Sequence, residues 1–148
     1  MIEYIGKAAA VWFIGFFPYF EVYLAVPAAI AMGMDYPSAV IWSTLGNFTA
    51  IPLVIYLHRQ LERVKWIGRW LEKLRLRPLG RLGYFAKAYS NLFVLLATPV
   101  VGAWVVAAIA RVLDVTPGRL LAYSFISILL YAVATSLMVN LGIRLIFG

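Results

Sequence analysis

The chain has no cysteine and a single histidine, His58. Without cysteine there is no disulfide framework and no thiolate chemistry. One imidazole cannot supply a multi-histidine metal site, so no metal ligands are assigned. Charge is scarce as well: only 13% of the 148 residues are Asp, Glu, Lys or Arg, and just six residues are acidic. No Ser-His-Asp, Cys-His or paired-carboxylate set occurs within a segment. No catalytic residue is therefore named, no cofactor is implied, and the chain is not expected to be an enzyme. A soluble domain is typically about half apolar and about a quarter charged. This chain is 64% hydrophobic, with a mean hydropathy of +0.90. An ordinary soluble core is excluded, and an all-α integral membrane protein forming one domain over 1–148 is expected.

What charge there is lies unevenly. The net charge is +7, and most of the thirteen basic residues fall between Arg59 and Lys87. That clustering fits a cytoplasmic loop under the positive-inside bias, so no nucleic-acid partner is expected. Within this stretch Leu61, Val64, Ile67, Leu71 and Leu74 recur at helical spacing, with Trp66 and Trp70 at the border and Arg or Lys over much of the rest. A basic amphipathic helix over about 58–77 is expected to lie on the membrane surface and to meet anionic lipid headgroups through the 59–87 segment. It acts either as a topology-setting anchor or as a recruiter of lipid phosphates. His58 is expected to be an interfacial polar residue.

The apolar runs are interrupted in a particular way. From Ala8 to Met34 the only charged residue is Glu21, and Pro18 and Pro27 bracket it. A carboxylate at membrane depth costs about 2.5–3.5 kcal/mol on insertion scales. Prolines remove helical hydrogen bonds, which is tolerated at depth only where protein or a water-filled cavity surrounds the backbone. A broken helix with a carboxylate at the break is the pattern of a binding or translocation site. The plainer alternative is a kinked helix whose Glu21 snorkels to an interface or pairs structurally. This first segment exceeds the ~20 residues that one crossing needs. It either crosses once with a kink or re-enters and returns to the same side, its tip near Glu21 to Pro27. The second segment, Ala39 to Leu57, is an uncharged run containing Gly46-Asn47, where Asn47 either joins helices by a hydrogen bond or contacts a ligand. The third, Ala88 to Ala110, is broken at Thr98-Pro99-Val100-Val101-Gly102-Ala103-Trp104, and Arg111 follows it. The fourth runs from Leu120 to Ile143.

Ala28-Ala29-Ile30-Ala31, followed by Asp35 and Pro37, matches Ala107-Ala108-Ile109-Ala110, followed by Asp114 and Pro117, with one inserted residue. The chain therefore reads as two repeats of a broken segment plus a spanning helix, about 8–57 and 88–147. Crossing segments would make the repeats parallel, and re-entrant ones would make them inverted. The crowding of Pro and Gly in both broken segments favours re-entry and an inverted repeat, as in many secondary transporters.

Glu21-Val22-Tyr23-Leu24-Ala25-Val26-Pro27, the later Gly46-Asn47, and Pro99 with Gly102-Ala103-Trp104 resemble the motifs of the small multi-drug export protein family. The resemblance covers most of the chain. That family is distantly similar to the DedA superfamily, whose members have paired re-entrant segments and move lipids. It implies a transporter-like protein of the inner (plasma) membrane. Two departures stand out: Tyr23 replaces the family's arginine, and the second motif lacks the fuller Pro-x-Pro-x-Thr-Gly form. Arg111 is then the nearest cation to the second break.

The function expected is a small multi-pass transporter, proton-coupled through Glu21, that moves a small amphipathic or lipid-linked molecule. The substrate or ion site is assigned to Glu21, Tyr23, Pro27, Asn47, Pro99, Trp104 and Arg111. Helix ends beside Pro27 and Pro99 would present backbone groups to the substrate. A homodimer is expected, because few walls otherwise shield Glu21 from lipid. A non-catalytic assembly subunit is the alternative, and a lipid-modifying enzyme a more distant one.

Overall fold

A computed structural model describes residues 2–63 and 89–147. Its elements are all α-helices: α1 (Ile2–Phe16), α2 (Glu21–Ala31), α3 (Tyr36–Arg63), α4 (Ser90–Val101), α5 (Ala103–Val112) and α6 (Pro117–Phe147). Two are long and apolar enough to cross a membrane, over Tyr36–Gln60 and Pro117–Leu145. The other four have 15, 11, 12 and 10 residues. At about 1.5 Å per residue, none reaches the ~30 Å of a hydrocarbon core.

Two boundaries differ from those expected. α1 begins at Ile2 rather than near Ala8. Glu3 and Lys7 sit one turn apart and pair at 2.7 Å, so the helix takes in the residues before Ala8. α3 runs on to Arg63, and His58, expected at an interface, is buried within it. From 64 to 77, the expected basic surface helix lies outside the described residues.

The chain divides into two compact units, residues 1–49 with 125–148, and residues 50–124. In the first, α1 and α2 pack together through Ala8, Val11, Ala25 and Ala29, with Met34 and Ala39 beyond the end of α2. Glu3, Tyr4 and Lys7 line one surface cavity with Gly33, Met34 and Asp35. The start of α1 and the end of α2 therefore lie side by side, and the pair is a hairpin. α3 runs alongside α1 in the same direction. The Tyr4 hydroxyl lies 3.0 Å from Ser38 Oγ and accepts a hydrogen bond from Trp42 Nε1, while Trp12 meets Gly46 and Gly15 meets Ser43. α6 runs against α3: Tyr36 donates to Asn140 Oδ1 at one level, and Phe48 packs edge-on to Phe125 at another. In the second unit, α4 and α5 pack together, and α5 buries Ala103, Val106, Ala107 and Ala110.

The two halves repeat each other in backbone detail. After α2, the N–H groups of Met32, Gly33 and Met34 donate to Ala28, Ile30 and Ala29. After α5, those of Leu113, Asp114 and Val115 donate to Ile109, Arg111 and Ala110. Both are helix ends with one residue in the left-handed region, Gly33 at φ 76° and Asp114 at φ 60°. Residue n of the first half thus corresponds to n + 81 of the second, as Gly33 does to Asp114. The same shift pairs Pro18 with Pro99, and it pairs fully buried Ala25, Val26, Ala29 and Ser43 with fully buried Val106, Ala107, Ala110 and Ser124.

The sequence alignment of the repeats is therefore corrected by two residues at the aspartates. Asp114 matches Gly33, a left-handed position that Asp tolerates better than most residues. Asp35 matches Thr116 instead. Each of those two starts the long helix that follows, its carbonyl accepting from Ala39 or Leu120. The Asp35 carboxylate also accepts from the Ser38 N–H at 3.0 Å, capping α3.

Candidate functional site

The hairpin of the first unit turns at Phe17–Phe20. Pro18 cannot donate a backbone hydrogen bond, and Tyr19 takes φ 79°. Phe13, Phe17 and Phe20 form a chain of tilted ring contacts across this turn. Tyr23 is exposed, and its hydroxyl donates to the Tyr19 carbonyl, which ties the first turn of α2 to the break. α2 then continues through Pro27, which is half-buried. The expected helix end beside Pro27 is not there; the break lies at Pro18. Pro27 withholds an N–H from the Tyr23 carbonyl, but burial of Ala25, Val26 and Ala29 holds the helix through it.

Glu21 opens α2 and is buried, with 6% of its surface exposed. No side chain caps this helix start, so the carboxylate occupies the end where a helix favours negative charge. Its φ is 45°, a left-handed conformation that costs a non-glycine residue about 1–2 kcal/mol. In the second half the corresponding residue is Gly102, at φ 99°. Both positions take a positive φ; the second half places a glycine there and the first half a buried carboxylate. Strain of this kind persists where surrounding structure enforces it, commonly at functional sites.

The break end of the hairpin lies against the middle of α3. A Cβ at Gly15 would stand 2.7 Å from the Ser43 carbonyl oxygen and 3.3 Å from the Asn47 nitrogen. A Cβ at Gly46 would overlap the Trp12 carbonyl. The Gly46-Asn47 pair thus divides its roles: Gly46 allows close helix approach, and Asn47 faces inward. Asn47, Ser43 and Thr44 are all buried. Spacings of three and four put them on one helix face. Ser43 Oγ, Thr44 Oγ1 and Asn47 Oδ1 have no hydrogen-bond partner among the described residues. Sequence reasoning assigned Asn47 but missed Ser43 and Thr44, although their spacing from Asn47 was visible.

The remaining assigned residues lie in the second unit. Pro99 is half-buried near the end of α4, two residues before it closes at Val101 and the chain turns at Gly102. Trp104 is half-buried in the first turn of α5. Arg111 ends α5, where Nη1 donates to the Val115 carbonyl at 2.8 Å. That bond gives Arg111 a local role in closing the helix, since a cation is favoured at a helix C-terminus.

A family model described as "Putative small multi-drug export protein" matches residues 21–134. The matched region begins at Glu21, at the start of α2, and ends within α6. No curated protein and no solved structure matches the chain.

Proposed function

The chain belongs to the small multi-drug export protein family, and from that premise we propose that it is a small multi-pass membrane transporter in which Glu21 binds the coupling cation. The observation that carries this is Glu21 itself, a buried carboxylate at a positive-φ position whose counterpart in the second half is Gly102. The substrate class that fits one buried carboxylate in a mostly apolar setting is a small amphipathic molecule bearing a positive group. Proton uptake at Glu21 would release it.

Both hairpins are re-entrant in this proposal. The short helices α1 and α2, with adjacent outer ends, support a segment that returns to the side it entered from. The opposed courses of α3 and α6, which are corresponding elements, support an inverted repeat. The protein would lie in the plasma membrane with the basic 59–87 segment in the cytoplasm, held by anionic headgroups. A homodimer would complete the walls around Glu21.

The test is proteoliposome transport of a cationic amphipathic dye driven by a pH gradient. Glu21→Gln keeps size and hydrogen-bonding reach but cannot change charge. It is expected to abolish gradient-driven movement while the protein stays folded. Normal movement in Glu21→Gln overturns the assignment. Absence of movement in the wild type, under both gradient directions and several dyes, favours the assembly-subunit alternative.

A further inference from the structure

The outer end of the first hairpin carries two cavities that share one residue. The polar one, about 250 Å³, lies between the start of α1 and the residues that follow α2, and Glu3, Lys7 and Asp35 supply its charges. The other, about 350 Å³, is lined by Tyr4, Ile5, Ala8, Ala9 and Trp12 of α1 and by Trp42 of α3. Tyr4 lines both. Its hydroxyl accepts from Trp42 Nε1 at 3.1 Å and lies 3.0 Å from Ser38 Oγ, which holds the ring at the junction. All of these residues belong to the first unit.

The apolar cavity follows α1 inward. Tyr4, Ala8 and Trp12 recur one turn apart, with Ile5 and Ala9 beside them, so a single helix face forms its wall. From Tyr4 to Trp12 is about 12 Å along a helix axis. That is most of one leaflet of a hydrocarbon core ~30 Å thick. The small side chains of Ala8 and Ala9 leave the groove open between the two rings. Trp12 is its innermost residue, with its carbonyl against Gly46 and its ring stacked on Phe16 at 5.4 Å. Water has no polar partners in such a groove, whereas a lipid chain fits its chemistry. The polar cavity differs in kind. Glu3 and Lys7 pair at 2.7 Å, which leaves Asp35 as the carboxylate without a cation among the lining residues. Asp35 Oδ2 accepts from the Ser38 N–H at 3.0 Å, and the carboxylate has further lone pairs to offer. Lys7 keeps donors to spare, because an ammonium carries more than the one that Glu3 accepts.

We propose that the two cavities form a site for one phospholipid whose headgroup carries a primary amine beside its phosphate, with the ammonium on Asp35, the phosphate on Lys7 and an acyl chain running past Tyr4 toward Trp12. A headgroup that joins the two charges answers both signs in the polar cavity. A lone anion would meet the carboxylates, and a lone cation would meet Lys7. A quaternary ammonium cannot donate a hydrogen bond to Asp35, and an anionic headgroup has no cation for it, so the carboxylate selects among lipids with equal chains. Tyr and Trp rings suit the level at which headgroup and chain meet. The site rests on the re-entrant reading above, which puts both outer ends of the hairpin at one membrane surface. It asks nothing of Glu21.

Lipid binding can be read on the purified full chain in detergent, by native mass spectrometry and by the thermal midpoint during lipid titration. A ligand that binds only the folded state raises the midpoint with its concentration. Dioleoyl phosphatidylethanolamine is expected to be retained and to raise the midpoint. Phosphatidylcholine and phosphatidylglycerol with the same chains are expected to bind about tenfold more weakly or worse. Soluble phosphoethanolamine, which lacks the chains, is expected to have no effect at the same concentration. Asp35→Asn keeps a cap on α3, since Asn caps as well as Asp. It is expected to lower phosphatidylethanolamine binding by about tenfold and to erase the preference over phosphatidylcholine. Ala9→Leu fills the groove from an exposed position on α1 and is expected to weaken all three lipids. Ala10→Leu, also exposed but outside both cavities, is expected to bind as the wild type does. Equal retention of the three lipids by the wild type overturns the site. So does undiminished phosphatidylethanolamine binding in both Asp35→Asn and Ala9→Leu, or a response to soluble phosphoethanolamine as large as that to the lipid. If any of these occurs while single cysteines at positions 7 and 35 label from the same side of the membrane, the re-entrant reading stands without this site. Labelling from opposite sides overturns the re-entrant reading and the site with it.

Discussion

Glu21 carries two separable features, a carboxylate and a left-handed backbone. Glu21→Ala removes the first and keeps the strain; Glu21→Gly removes both. The glycine variant is therefore expected to be more stable than the alanine variant by about 1 kcal/mol, with both inactive in transport. Thermal midpoints of the two, measured side by side, check this. Equal midpoints would show that the backbone at Glu21 stores no strain. Asp35 offers a pH test outside the spans. Its hydrogen bonds from Ser38, backbone first, hold its carboxyl below the ordinary range. A depressed folded pKa contributes stability above the unfolded value of about 3.9, which is lost as pH falls through the folded one. The midpoint gap between wild type and Asp35→Ala should accordingly be constant near neutrality and shrink as pH drops below about 4. A gap that persists in acid would mean that the cap does not depend on the charged carboxylate.

At the scale of the elements, close approach of α1 and α3 depends on Gly15 and Gly46. Gly46→Ala would press a methyl into the Trp12 carbonyl and push the helices apart, an overpacking cost of about 1–3 kcal/mol. Gly142, by contrast, lies in α6 with nothing within 4 Å of its would-be Cβ. Gly142→Ala should stabilise by about 0.5–1 kcal/mol, because alanine is the better helix former. Opposite signs for these two substitutions in thermal unfolding are expected. A neutral Gly46→Ala would show that α1 and α3 do not hold this contact. The four short helices are legible in the sequence only as two interrupted runs, since an interruption is local chemistry. Its exact place is not: α2 continues through Pro27 because three buried small residues on its face outweigh one missing hydrogen bond.

For the whole molecule, the proposed re-entrant hairpin, with adjacent ends of α1 and α2, would put Lys7 and Asp35 on the same side of the membrane. With no native cysteine, single cysteines at these positions can be labelled from outside intact cells. Both should label, or neither; labelling of one alone would mean that the first segment crosses. The mass in nanodiscs should be that of two chains, and a single-chain mass would remove the proposed second wall around Glu21.

Hydropathy, scarcity of charge and the placement of proline belong to single residues and short runs. For that reason the membrane environment, the helical class, the two broken segments and the place of Glu21 in an otherwise uncharged run could all be read from the sequence alone. The repeat was legible as well, because an Ala-rich run leading to Asp and Pro occurs twice. Its register was not. Composition pairs Asp35 with Asp114, whereas helix-end hydrogen bonding pairs Asp114 with Gly33 and so Glu21 with Gly102. Likewise, Ser43 and Thr44 read in the sequence as ordinary small polar residues of an apolar run. Packing of α3 in the tertiary structure buries them with Asn47, and neither finds the carbonyl partner that Thr49 finds one turn on. Pattern is a property of the chain, but which oxygen is left unmet depends on what packs around it, and that was decided only in three dimensions.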